Sequence, residues 1–309
     1  MNKKLLALTT ALLLIIPTSA NAGLKNAGTA VPTLAILDTA IDTSVPMFSG
    51  KIVNEVCILD WNSCPNGKNF MEGPGAAGLP SKIISANGFD HGTQMTSVAI
   101  QTNSNMNIVF IRIIGNTAAG ARQTTSSYTV GNALNWVIAN KDKWNIQAVA
   151  MSQSANNFYP GANYCPVMVT AQSAIKKLMD LGVPSLFAAG NDRDYTHVNS
   201  PACIPESIAV GATDQYGQIA TYSNYDSKLL DFYALGNVQV TAPGNKVTWG
   251  AGTSVATQVA AAGWIAIKNA KPTLTYQQIY DLIIKTSTPA VSAKLPTGKQ
   301  INIQGAING

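Results

Sequence analysis

Four polar residues stand where the chain pattern changes: Asp38 in LAILDTAID, His91 in GFDHGTQMTSVA, Asn191 in SLFAAGNDR and Ser254 in WGAGTSVATQVAAAGW. Together they are the groups that acyl transfer requires. A serine hydroxyl is a weak nucleophile at its ordinary pKa and needs a base within hydrogen-bond reach. An imidazole supplies that base, and a carboxylate fixes its tautomer and stabilises the imidazolium. The tetrahedral oxyanion needs preorganised donors. An asparagine amide and the positive end of a helix are donors of that kind. Singly, each residue has a plainer reading. Asp38 reads as a turn or N-cap aspartate, His91 as a satisfied structural histidine, Gly190-Asn191 as turn chemistry, and Ser254 as an ordinary helix N-cap. Scarcity favours a role for His91, since His197 is the only other histidine.

The elements that must position these residues follow from hydrophobic patterning. Short apolar runs recur at Thr33–Leu37, Ile108–Ile114, Ala148–Met151, Val183–Ala188, Ile208–Val210 and Val238–Thr241, as suits strands buried on both faces. Helical spacing appears between them, over Tyr128–Lys141 and Val167–Leu181, and again over residues 255–268 and 276–285, the last opened by a capping box of Thr275 and Gln278. Strands alternating with helices predict an α/β fold: a single domain with a mostly parallel, doubly wound central sheet and helices on both faces. Residues 54–90 lack a period and read as a long surface loop. In such sheets function gathers where strands end and loops lead into helices, which is where Asp38, His91 and Asn191 stand.

The bulk properties bound the function. The 309 residues are 46% hydrophobic and 11% charged, with a net charge of +5 and no basic run, so nucleic acid is not an expected partner. Residues 1–22 read as a signal peptide, with Lys3 and Lys4, an apolar stretch from Leu5 to Ile16, and Ala20-Asn21-Ala22 as the cleavage site. The mature domain, 23–309, is then expected outside the cytoplasm, periplasmic or secreted, with no membrane association. The four cysteines suit that oxidising setting and allow three pairings; Cys57–Cys64 with Cys165–Cys203 is the expected one, because Cys57–Cys64 closes a short loop rich in turn residues. No Cys-x-x-Cys exists, so no zinc site is expected.

The motifs AILDTAID, DHGTQMTSVA, AAGND and GTSVAT, in this order, resemble those of subtilisin-like serine peptidases, the subtilases. Weaker matches at AVAMSQS, SIAVGATD and TAPG extend the resemblance over residues 31–288. The resemblance implies a serine endopeptidase with Ser254 as nucleophile, His91 as base and then acid, Asp38 as its orienter, and Asn191 with the Ser254 N–H as the oxyanion hole. It further implies that Met151, Ser152, Gln153 and Ser154 pair with a peptide or protein substrate as an added strand, and that Ala188, Ala189 and Gly190 line the P1 pocket. A cis bond before Pro201 and structural calcium are likewise implied; no calcium ligands can be assigned, and no other cofactor is expected.

Several positions depart from the family pattern. Ala40 replaces a glycine, Val255 a methionine, and Gln258 a proline of the first helical turn. Gln153, Ser154 and Ala155 replace a smaller stretch, which predicts a narrower, more polar S1 entrance and preference for small P1 residues. Only about ten residues separate the cleavage site from the first strand, too few for a folded propeptide, so unaided folding or a separate inhibitor chain is expected. A monomer is expected. These departures also frame an alternative, a catalytically silent peptide-binding pseudo-peptidase; an esterase using the same triad is a third reading.

Overall fold

A computed structural model describes residues 31–86, 88–154, 165 and 168–309. The signal segment, Ala155 and Val167, the expected first residue of a helix, lie outside the described residues, and that helix begins at Val169. The chain enters a sheet with β1 (Thr33–Asp38), followed by β2 (Ile52–Ile58) and β3 (Phe70–Glu72). Helices α1 (Ser81–Ile84) and α2 (His91–Thr102) lead to β4 (Asn107–Arg112), α3 (Ser127–Asn140) and β5 (Ile146–Met151). Helix α4 (Val169–Asp180) precedes β6 (Ser185–Ala188), β7 (Ile208–Thr213) and β8 (Leu230–Leu235). A hairpin, β9 (Asn237–Ala242) and β10 (Lys246–Ala251), delivers the chain to α5 (Thr253–Ala270) and α6 (Tyr276–Thr286). Strands β11 (Thr288–Ala290) and β12 (Gly298–Gln300) and helix α7 (Ile303–Asn308) complete the fold.

The main sheet runs β11-β12-β8-β7-β6-β5-β1-β4-β2-β3. Its interior pairings are parallel, and antiparallel pairs occur only where β3 and β11 join at the two edges. Strand β1 is central because the chain builds to one side of it with β2 and β4, then to the other with β5 to β8. That reversal is a topological switch point, and Asp38 is the last residue of β1 beside it.

Both faces of the sheet are apolar, as period-2 side-chain alternation requires when helices cover both sides. Leu34, Ile36, Ile108, Phe110 and Ala150 pack with Ala256, Ala260, Trp264 and Ile265 of α5. Ala35, Leu37, Val109, Ile111 and Met151 pack with Val130, Leu134 and Val137 of α3 and Ile175 and Leu178 of α4. Each such Leu, Ile or Val contributes about 1.5–3 kcal/mol by leaving water. The run of small residues in α5 lets it lie closely along the sheet, and its start is thereby fixed against the strand ends.

The structure corrects several boundaries. Residues 54–90 are not one loop: β2, β3 and α1 lie within 52–84. Buried Asn54 and Glu55 interrupt the apolar run that would have marked β2. Glu55 is satisfied by the N–H groups of Gly75 and Ala77 at 2.9 and 3.2 Å, and Asn54 donates to Glu72 at 3.0 Å. The Val238–Thr241 run belongs to the separate two-stranded hairpin and is buried only at its end. Strand β4 ends at Arg112, two residues before the apolar run does. Both disulfides form as expected, Cys57–Cys64 and Cys165–Cys203. The Ser200–Pro201 bond is cis, and the capping box of Thr275 and Gln278 is present.

Candidate active site

Asp38 is fully buried at the end of β1 and needs partners to stay there. The Thr39 N–H donates to its Oδ1 at 2.7 Å. His91 Nδ1 lies 2.8 and 3.0 Å from the two carboxylate oxygens, so the Nδ1–H donates to the carboxylate and Nε2 is the ring nitrogen left outside this pair. Gln153 Nε2 donates to Oδ1 at 2.9 Å. Three donors on one carboxylate account for its burial.

His91 is the first residue of α2, and the neighbouring Thr39 holds that helix to β1. Its Oγ1 donates to the Phe89 carbonyl at 2.9 Å and accepts from the Gly92 N–H at 3.0 Å. Asp90 makes no side-chain cap, so Thr39 takes the capping role from across the chain. Gly92 is required for this approach: a Cβ there would stand 2.4 Å from the Ala40 carbonyl oxygen and 2.6 Å from Phe110. Ala40 itself costs little, because the non-glycine residues with positive φ among those described are Asn145, Arg193 and Asn245.

Helix α5 begins one residue before Ser254, with Gly252 as N-cap at φ 148°, ψ 166°, a region open essentially to glycine alone. Ser254 is therefore the second helical residue and does not cap. The four free N–H groups of a helix start are disposed unequally here. The Thr253 N–H donates to Asn191 Oδ1 at 2.9 Å, and those of Val255 and Ala256 reach the Gly252 carbonyl at 3.1 and 3.3 Å. The Ser254 N–H makes no hydrogen bond among the described residues.

Asn191 is exposed beyond the end of β6, and its Oδ1 accepts from both the N–H and the Oγ1–H of Thr253, at 2.9 and 3.0 Å. These two donors settle which end of the amide is oxygen and leave Nδ2 as a donor. Gly190 N–H in turn donates to Thr253 Oγ1 at 3.2 Å.

The Ser254 hydroxyl donates to the Ser152 carbonyl at 3.2 Å, and the Ser152 hydroxyl donates to the Ser254 carbonyl at 3.0 Å. Gln258, fully buried one turn on, donates to Ser152 Oγ at 3.0 Å and leaves its Oε1 without a partner among the described residues. The first turn of α5 is thus tied to the strand end by hydrogen bonds where the family pattern has a proline. The Ser254 hydroxyl is directed at the Ser152 carbonyl, and among the described residues no hydrogen bond joins it to His91.

Of the other expected residues, Met151 and Ala189 are fully buried, Ala188 is half-buried and Gly190 is buried. Ser154 accepts from Asn199 Nδ2 at 3.4 Å. His197 stands apart in an exposed turn with Asp194 and Thr196. Arg112, in register with Asp38, directs its buried guanidinium to the Ile114 carbonyl and Asn116, and burial lowers its pKa to about 10, so it stays charged at neutral pH. Three contributors were not marked by the sequence: Thr39, Thr253 and Arg122, whose Nη2 donates to Gln153 Oε1. The first two adjoin Asp38 and Ser254 directly; nothing in the sequence marks Arg122. Among the described residues no three His, Cys, Asp or Glu side chains cluster as metal ligands. No described helix is long and apolar enough to cross a membrane.

Comparison with known proteins bears on this geometry. Alkaline elastase YaB from Bacillus sp. (strain YaB) is 28% identical over 69% of this chain, which spans about half, 54%, of that relative. Subtilisin Savinase from Lederbergia lenta is 26% identical over 75% of this chain and 82% of its own. The crystal structure of a cold adapted subtilisin-like serine proteinase shares the fold with a TM-score of 0.64, at 22% identity, over 87% of both chains. A model of the subtilase family matches residues 30–306, from just before β1 into α7, and with strand ends and helix starts arranged as described the chain belongs to that family.

Proposed function

We propose that this protein is a serine endopeptidase acting outside the cytoplasm on peptide or protein substrates. The observation that carries the reading is the His91–Asp38 pair, with Nδ1 at 2.8 and 3.0 Å from a fully buried carboxylate. In the proposed cycle, Ser254 Oγ bonds to the scissile carbonyl carbon as its proton passes to His91 Nε2. Asp38 keeps the Nδ1 proton in place and stabilises the imidazolium. The oxyanion lies between the Ser254 N–H and Asn191 Nδ2. As the C–N bond breaks, His91 protonates the departing amine, and a water deprotonated by His91 then releases the acyl group from Ser254.

Support for the compartment comes from the signal-like residues 1–22 and the two disulfides, which persist in oxidising surroundings. Met151–Ser154 continues β5 at the sheet's carboxyl edge, a position suited to adding a substrate strand. The Ser154 side chain beside Asn199 supports preference for small P1 residues. The test is casein digestion by the mature protein, with Ser254→Ala as control. Cleavage abolished by the substitution is expected; hydrolysis of activated esters without casein cleavage would replace the peptidase with an esterase.

A further inference from the structure

Gln153 follows β5 at the site, and its side chain turns to the catalytic carboxylate. It is 7% exposed. Arg122 Nη2 donates to Gln153 Oε1. That contact fixes the amide's orientation and leaves Nε2 facing the dyad, 2.9 Å from Asp38 Oδ1 and 2.9 Å from His91 Nδ1. Since Nδ1 carries its proton toward Asp38, the amide and the imidazole are two donors gathered on a shared acceptor. Asp38 Oδ1 therefore takes the Thr39 N–H, the Gln153 amide and the imidazole, whereas among the described residues Oδ2 takes the imidazole alone. The exposed guanidinium of Arg122 lies over the turn leading into α2, where a Cβ at Gly88 would stand 3.2 Å from Nη1. It polarises the amide that donates to Asp38, and hydrogen bonds in such a chain strengthen one another away from water.

We propose that Gln153 is a positioning residue for the Asp38–His91 pair, and Arg122 its anchor at the surface. The inference rests on the peptidase reading above and deepens it. An apolar residue at 153 would remove one of three donors from Asp38 and let the carboxylate and the ring turn together. The expected effect falls on the chemical step and leaves peptide binding intact.

The test uses steady-state kinetics on a peptide p-nitroanilide with alanine at P1, together with the imidazole Nδ1 proton resonance of His91, assigned by its loss in His91→Ala. In Gln153→Met, kcat should fall about tenfold while KM changes less than twofold. Arg122→Ala should lower kcat severalfold and add nothing to Gln153→Met in the double variant, and Arg122→Lys should restore most of the loss. Both Gln153→Met and Arg122→Ala should move the Nδ1 resonance in the free protein. A raised KM with kcat preserved would make Gln153 a substrate contact and overturn the proposal, as would additive losses or an unmoved resonance. If the wild-type protein turns over no peptide, the peptidase reading fails, and the resonance still decides whether Gln153 and Arg122 position the pair.

Discussion

Thr253→Val tests how Asn191, the proposed oxyanion donor, is held. Valine keeps the shape of a fully buried threonine and removes only its hydroxyl. That hydroxyl donates to Asn191 Oδ1 at 3.0 Å and accepts from the Gly190 N–H at 3.2 Å. Losing the first bond costs about 1 kcal/mol, and stranding a buried N–H costs about 1–3 kcal/mol more. Unfolding free energy should therefore drop by about 3 kcal/mol, measured by urea titration. Activity should fall for a separate reason. Removing an oxyanion donor altogether lowers kcat about a hundredfold to a thousandfold. Here Asn191 keeps the Thr253 N–H at 2.9 Å, so its amide is loosened but not lost, and about a tenfold fall in kcat is expected with little change in KM. In an Asn191→Ala background the same substitution should cost kcat nothing further. A kcat within twofold of wild type, alongside the expected loss of stability, would refute the claim that Thr253 aims Asn191.

Three further outcomes follow from the same geometry. Gln258→Met removes the bond to Ser152 and also the unpartnered Oε1, so stability should change by less than about 1 kcal/mol while kcat falls severalfold; a loss above about 3 kcal/mol would contradict the hydrogen-bond tie. Burial raises the Asp231 carboxyl to about 6, against hydrogen bonds from Tyr280 and the Ala209 N–H. The folded state then holds a proton that the unfolded chain releases, so stability should fall as pH rises from about 4 to about 6, by at most about 3 kcal/mol, and Asp231→Asn should flatten that slope in urea titrations across the range. Activity should survive peroxide, because Val255 adjoins Ser254 and the nearby Met95 and Met151 are buried; inactivation that maps to sulfoxide at either methionine would contradict this.

The central strands and long helices were legible because both-face burial leaves continuous apolar runs and α3, α4 and α5 keep helical spacing. Strand β2 was not legible, since Asn54 and Glu55 are buried through specific partners that carry no periodic signal. Asp38, His91, Asn191 and Ser254 stood out in the sequence through order and flanking pattern, but the side chains that hold them did not. Thr39 acts across 50 residues on Phe89, and Arg122 acts across 31 on Gln153. Such pairs exist only once the β1–β5 switch point is formed. Gln258 reads in the sequence as a missing proline; in three dimensions it is a donor to Ser152.

The most direct measurement is labelling of the mature protein with a fluorophosphonate, followed by mass mapping of the adduct. One adduct on Ser254, absent in Ser254→Ala and strongly slowed in His91→Ala, is the predicted result. A folded protein that stays unlabelled at Ser254, or labels equally fast without His91, would contradict the assignment of Ser254 and His91 as nucleophile and base.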